Sequence, residues 1–102
     1  MQIAIMGFGN MGLTHQARYA NLGVTVVVID ISAEKRKLAE SMHIKTYESL
    51  EACMAEQQVD GIDICTPTQM HLSHLQSAMT YNKPIMISWL KLSNIILDYK
   101  HS

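Results

Sequence analysis

Long hydrophobic runs are missing from this chain. No apolar stretch approaches the ~18 residues of a membrane span, and no cationic segment precedes an apolar one at the start. Basic blocks are missing too. Eight Lys and Arg stand against nine Asp and Glu for a net charge of −1, so nucleic acid or an anionic membrane would find no electrostatic footing. Repeats, low-complexity tracts and Pro/Gly-rich linkers are absent. Cysteine is scarce: Cys53 falls in a predicted helix and Cys65 at the end of a predicted buried strand, and both read as small core residues rather than a disulfide pair. These absences make a cytoplasmic protein the default. What is present is a composition 48% hydrophobic and 17% charged, which is that of a globular protein. At 102 residues there is room for one domain, burying roughly 60–70% of its unfolded surface.

The apolar residues come in alternating patterns. Residues 2–6 read as a strand, and 11–22 as a helix stopped by Gly23. The β-branched run 24–29 is a strand buried on both faces and ends at Asp30. Ser32 is a suitable N-cap for a helix over 33–42, with Glu34 in its first turn. A short strand near 44–46 precedes a helix over 48–57 that turns Leu50, Cys53 and Met54 inward. A fourth strand over 61–65 follows, then a helix from about Gln69 to Tyr81 with Asn82 as a left-handed stop. Ile85 to Ser88 reads as a fifth strand. The eight methionines read as core filling. Strands alternating with helices specify an α/β fold: a Rossmann-like, doubly wound parallel sheet of about five strands in three αβα layers. Right-handed crossovers give the strand order 3-2-1-4-5, and a crevice then opens at the carboxyl ends of strands one and four.

The residues at that crevice carry the functional signal. Gly7-Phe8-Gly9-Asn10-Met11-Gly12 is a G-x-G-x-x-G loop lying between the first strand and the first helix. Gly7 permits the tight turn, Gly9 lets backbone approach a pyrophosphate, and Gly12 lets helix and strand pack closely. Phosphates would rest on the free N–H groups of the helix N-terminus. Asp30 lies 18 residues after Gly12, close to the ~20 expected of the acid that binds an adenosine ribose. A carboxylate there accepts from both ribose hydroxyls and repels a 2′-phosphate, which favours NAD over NADP. Capping of the next helix is the alternative role. Lys35 and Arg36, one turn further on, could host a 2′-phosphate and keep NADP open.

Across the crevice stands Thr66-Pro67-Thr68-Gln69-Met70-His71. Taken with Gly7, Gly9, Gly12, Asp30 and the segment Val59 to Pro67, it resembles the N-terminal half of the Gfo/Idh/MocA oxidoreductases. In that family a T-P-N-x-x-H segment follows strand four. Thr68 replaces the usual Asn and keeps a polar side chain able to cap. The segment Gln76 to Pro84 resembles the family's next helix and turn, so the likeness covers residues 1 to about 87. It implies that Thr66, Pro67 and His71 border the nicotinamide half of the cofactor. Pro67 fixes the loop's path, and His71 opens a helix pointing at the crevice. A helix residue bonded to its own loop is the alternative for His71. His71 and His74, at i,i+3, could share a helix face, but no third metal ligand is evident. His15, His43 and His101 have no identifiable role.

The likeness then breaks. Where the family has E-K-P after strand five, with a Lys that is commonly catalytic, this chain has Ser88-Trp89-Leu90. Lys91 falls two positions along and does not inherit the role. The sixth strand and the family's substrate domain are not found. Residues 1–88 therefore read as an NAD(P)-binding domain and 89–102 as a divergent apolar tail. Trp89, Leu92, Ile96 and Tyr99 recur at helical spacing and could cover the fifth strand or mediate self-association. The resemblance implies hydride transfer between a nicotinamide and a sugar- or polyol-like alcohol carbon, with an incomplete catalytic apparatus here. The alternative is a nucleotide-dependent partner-binding or scaffold module without redox activity.

Overall fold

The strands and helices read from the pattern all form. A computed structural model describes residues 1–87, so the tail residues Trp89, Leu92, Ile96 and Tyr99 lie outside the described residues, as do Ser88, Lys91 and His101. The elements are β1 (Gln2–Met6), α1 (Asn10–Asn21), β2 (Thr25–Ile29), α2 (Ala33–Ser41), β3 (Thr46–Tyr47), α3 (Leu50–Glu56), β4 (Gly61–Ile64), α4 (His71–Met79) and β5 (Ile85–Ile87). A single 3-10 turn at Thr68–Met70 leads into α4. All pairings are parallel, and the sheet runs β3-β2-β1-β4-β5 as expected. Among the described residues no helix is long and apolar enough to cross a membrane.

Strand periodicity sorts the side chains into two cores. Ala4, Met6, Val27, Ile29, Ile62 and Ile64 face one way and pack on Leu50 and Cys53 of α3 and on Leu75 and Ala78 of α4. Ile5, Val26 and Val28 face the other way and meet Ala39 of α2, with Leu13 and Tyr19 of α1 partly buried beside them. Each fully buried side chain of this size stabilises the fold by roughly 1.5–3 kcal/mol. The surface pair Arg36–Glu48, 3.4 Å apart with Glu48 exposed, belongs to a class worth about 0–1 kcal/mol. Apolar burial therefore sets stability, and both faces are covered by helices.

The boundaries show where local chemistry overrides pattern. Ser32 caps α2 through its Oγ, which accepts from Lys35 N, and Ser49 caps α3 the same way from Ala52 N. The Ser49 cap is why α3 begins at Leu50 and not at 48. Gly23, at φ 72°, and Asn82, at φ 56°, both adopt the left-handed stop expected of them. His43, which had no role, is a third such stop after α2, at φ 63°. The third strand sits later than expected, because Ile44 turns into the core while Thr46 and Tyr47 pair with Val28 and Ile29. The methionines need correction as well. Met6 is buried and Met54 and Met79 are partly so, but Met1, Met11, Met42, Met70 and Met86 are exposed.

Ser49→Ala should cost about 1 kcal/mol, the typical loss of an N-cap oxygen. Urea unfolding should show a lower midpoint at an unchanged slope.

Candidate functional site

A crevice of about 860 Å³ opens at the carboxyl ends of β1 and β4, where the topology places it. Its floor is the turn after β1. Gly7 adopts φ +94°, and a Cβ there would stand 2.8 Å from Thr66 Cγ2. At Gly12 a Cβ would stand 2.2 Å from the Gly7 carbonyl oxygen, a distance no side chain tolerates. A Cβ on Gly9 would meet only Lys35 Nζ, at 3.8 Å, so the middle of the loop faces open space. The first intrahelical bond runs from Leu13 N to Gly9 O at 3.0 Å. The N–H groups of Asn10, Met11 and Gly12 thus have no partner within the helix. No acidic side chain occupies this first turn, so the positive end of the helix dipole is unopposed there.

Asp30 is held where this floor meets the end of β2. Its Oδ2 accepts from Phe8 N and its Oδ1 from Ser32 N, each at 2.9 Å. Each oxygen keeps a lone pair for a further donor. Arg36, considered for a 2′-phosphate, is committed elsewhere: its Nη1 donates to the carbonyls of Asp30 and Ile31, at 2.8 and 3.0 Å. Lys35 does line the crevice. So does Ile31, an apolar side chain 89% exposed that the pattern reading passed over.

The opposite wall is the loop after β4. Gly7, Phe8, Gly9, Asn10, Met11, Asp30, Thr66 and Pro67 all border the crevice. Gly12 and His71 do not; Gly12 lies behind the turn and His71 behind the wall. His71 is 2% exposed, and its Nε2 donates to the Thr66 carbonyl at 2.7 Å, which is the bond to its own loop. Its Nδ1 is buried with no partner among the described residues. His74, one turn on, does line the crevice, and its Nδ1 lies 2.7 Å from the Thr66 hydroxyl. Thr68 caps nothing: the 3-10 turn follows Pro67 without a side-chain cap. Loss of solvent, and then the neighbouring His71, lower the His74 pKa, so its imidazole favours the neutral form.

A second polar cluster lies behind the floor, against α1. Asp63 of β4 is fully buried, and three side chains bond to it. His15 Nδ1 and the Tyr19 hydroxyl donate to Oδ2, each at 2.7 Å, and the Cys65 thiol donates to Oδ1 at 3.4 Å. Burial first, then the Asp63 charge, push the Cys65 thiol well above its ordinary range. Burial, and then the hydrogen bond to Asp63, do the same to the Tyr19 phenol. Cys53 is raised to about 11, chiefly by burial. Both thiols are free and protonated at neutral pH. His15, without a role in the pattern reading, thus has one. The available signal was an Asp at an inward position of a buried strand, since such a group demands partners.

Two outcomes follow from this geometry. Gly12→Ala should destabilise the fold by about 1–3 kcal/mol or more, because backbone must move to admit the methyl group; thermal unfolding would record it. For His74 the folded pKa lies below its ordinary value of 6.5. As pH falls below that value, the unfolded imidazole takes up a proton that the folded one resists, so stability is lost. His74→Gln should lose less stability than the native chain between pH 7.5 and 5.5 in denaturant titrations.

Comparison with known proteins matches the stretch of chain that builds this geometry. A family model described as "Oxidoreductase family, NAD-binding Rossmann fold" matches residues 1–88. A UDP-N-acetylglucosamine 3-dehydrogenase from Acidithiobacillus ferrooxidans is 31% identical over 80 residues, covering 78% of this chain and 25% of that protein. An NAD-binding protein from Listeria innocua superposes with a TM-score of 0.76 at 36% identity, over 84% of this chain and 26% of the other. A myo-inositol dehydrogenase from Corynebacterium glutamicum gives a TM-score of 0.73 at 29% identity, over 85% and 27%. The chain spans about a quarter of the length of the curated relatives it matches. With the family model covering residues 1–88, this chain belongs to the Gfo/Idh/MocA oxidoreductase family as its NAD-binding Rossmann domain.

Proposed function

We propose that the crevice binds NAD in preference to NADP and presents its nicotinamide to a sugar- or polyol-like alcohol. The observation that carries the choice of cofactor is Asp30. Its carboxylate is fixed by Phe8 N and Ser32 N, so its remaining lone pairs point where ribose hydroxyls can donate without reorganisation. A 2′-phosphate at that place would meet a fixed negative charge, and Arg36 is occupied with backbone carbonyls. In this reading the pyrophosphate lies over Gly9, Asn10 and Met11. Ile31 gives the adenine an apolar surface, and Thr66 and Pro67 flank the nicotinamide half. His71 acts through Thr66, whose carbonyl it holds, and His74 faces the cofactor directly.

The substrate class rests on the relatives, which include the UDP-N-acetylglucosamine 3-dehydrogenase and the myo-inositol dehydrogenase. The bound nicotinamide would supply the hydride chemistry. This domain's own residues bind and orient the dinucleotide. Membership of an oxidoreductase family weighs against a scaffold without redox function. A cytoplasmic setting suits a dinucleotide and two free thiols.

Calorimetric titration of the full chain tests the cofactor. NAD should bind measurably and more tightly than NADP. Asp30→Ala should weaken NAD by roughly 10–100-fold, the loss of hydrogen bonds to a charged acceptor, and narrow the gap to NADP. A folded protein that binds neither dinucleotide would refute the assignment.

A further inference from the structure

The cluster on Asp63 lies behind the crevice and meets it only at Cys65, and its composition is that of a metal site. Among the described residues His15 Nδ1, an Asp63 carboxylate oxygen and Cys65 Sγ all lie within 4.8 Å of one another. The separations are 2.7 Å from His15 Nδ1 to Asp63 Oδ2, 3.3 Å from His15 Nδ1 to Cys65 Sγ, and 3.4 Å from Cys65 Sγ to Asp63 Oδ1. Around a tetrahedral zinc with bonds of roughly 2.0–2.3 Å, ligand atoms stand about 3.3–3.7 Å apart. Taken to the nearer Asp63 oxygen in each case, the two separations that involve Cys65 nearly match, and the one between His15 and Asp63 has to open by at least about 0.6 Å.

We propose that His15, Asp63 and Cys65 form a three-ligand site for a zinc-class divalent cation on the α1 side of the sheet.

Imidazole, carboxylate and thiolate are the three ligand types zinc accepts. Charge supports the assignment too. A thiolate and a carboxylate together neutralise a divalent cation, and a neutral His15 completes a site with no net charge. Such a site is the arrangement a buried position tolerates best. Asp63 and Cys65 are two apart along the end of β4, so they share a face and are held by the sheet, while His15 comes from α1. Tyr19, donating to Asp63 Oδ2, orients the carboxylate from outside the ligand set. The His15 side chain is 15% exposed and gives the ion a way in.

On binding, the Cys65 S–H bond breaks and its proton leaves to solvent. The His15 proton passes from Nδ1 to Nε2 by exchange with solvent, so that the neutral ring presents the Nδ1 lone pair to the ion. The hydrogen bonds from His15 and Cys65 to Asp63 are replaced by bonds to the metal, and a water takes the fourth position. The burial that holds the thiol protonated is overcome by the cation's own charge.

Cobalt(II) reports thiolate ligation by a near-ultraviolet charge-transfer band. Titrated into the reduced full chain, Co2+ should give that band, saturating at one ion per chain, and Zn2+ should abolish it by displacement. Cys65→Ser should remove the band, Cys53→Ser should keep it, and His15→Ala should weaken binding by more than about 100-fold, beyond what loss of an outer partner costs. A natively folded protein that shows no band overturns the proposal, as does a band that survives Cys65→Ser. Binding without a thiolate band, as surface histidines would give, also counts against it. If Cys65→Ser does not fold, His15→Ala decides, since unchanged affinity in that variant excludes the site. Dinucleotide affinity is measured separately, so failure here leaves the crevice assignment standing.

Discussion

The carboxyl edge of this sheet depends on how closely one turn of backbone lies against two others. The Gly7 carbonyl oxygen is 2.2 Å from where a Gly12 Cβ would be, and a Gly7 Cβ would press on Thr66 at 2.8 Å. Any side chain at either position separates α1 from β1, or β1 from the loop after β4. The same turn is tied sideways, since Gly7 N donates to Ile29 O at 2.8 Å and Phe8 N to Asp30. The turn therefore fixes the ends of β1, β2 and β4 relative to one another. The floor of the crevice is backbone, and this backbone places the side chains that border it.

That division explains which parts were legible in the sequence. The β-branched run at 25–29 and the glycines at 7, 9 and 12 encode backbone requirements, and such requirements survive in a one-dimensional pattern. The strand order followed from the handedness of crossovers alone. The place of Asp30 at the crevice was legible because its spacing from Gly12 is itself a backbone distance. The role of His71 was less so. Its place in a T-P-x-x-x-H segment gives no information about which way the ring turns, and it turns behind Thr66 while His74 turns forward. Arg36 and Lys35 are adjacent in sequence, yet one is consumed by two carbonyls and the other reaches the crevice. Side-chain partnership of this kind is a tertiary property and has no period to read.

The methionines and Ile31 failed for a related reason. Hydrophobicity predicts burial on average, but a ligand crevice needs apolar walls that remain exposed while no ligand is bound. Met11 and Met70 line that wall, at 40% and 41% exposure. They are apolar for the crevice and not for the core.

Asp63 poses the opposite problem, a carboxylate where an isoleucine would pack. Burying it costs several kcal/mol, and each hydrogen bond to a charged acceptor returns about 1.5–3 kcal/mol. The three donors therefore bring the site near balance, and net stability is not what the cluster contributes. Its contribution is to α1. Gly12 is the one fully buried residue in that helix, and Leu13 and Tyr19 are only partly covered. A helix with so slight an apolar face is free to roll about its axis. Gly12 pins one end by contact, while His15 and Tyr19, a turn apart, pin the middle by directional bonds to a single carboxylate. Directional bonds resist rolling where apolar contact does not. The rotation they fix sets which residues of the first turn, Asn10 and Met11, border the crevice, so the buried acid behind the floor helps to shape it.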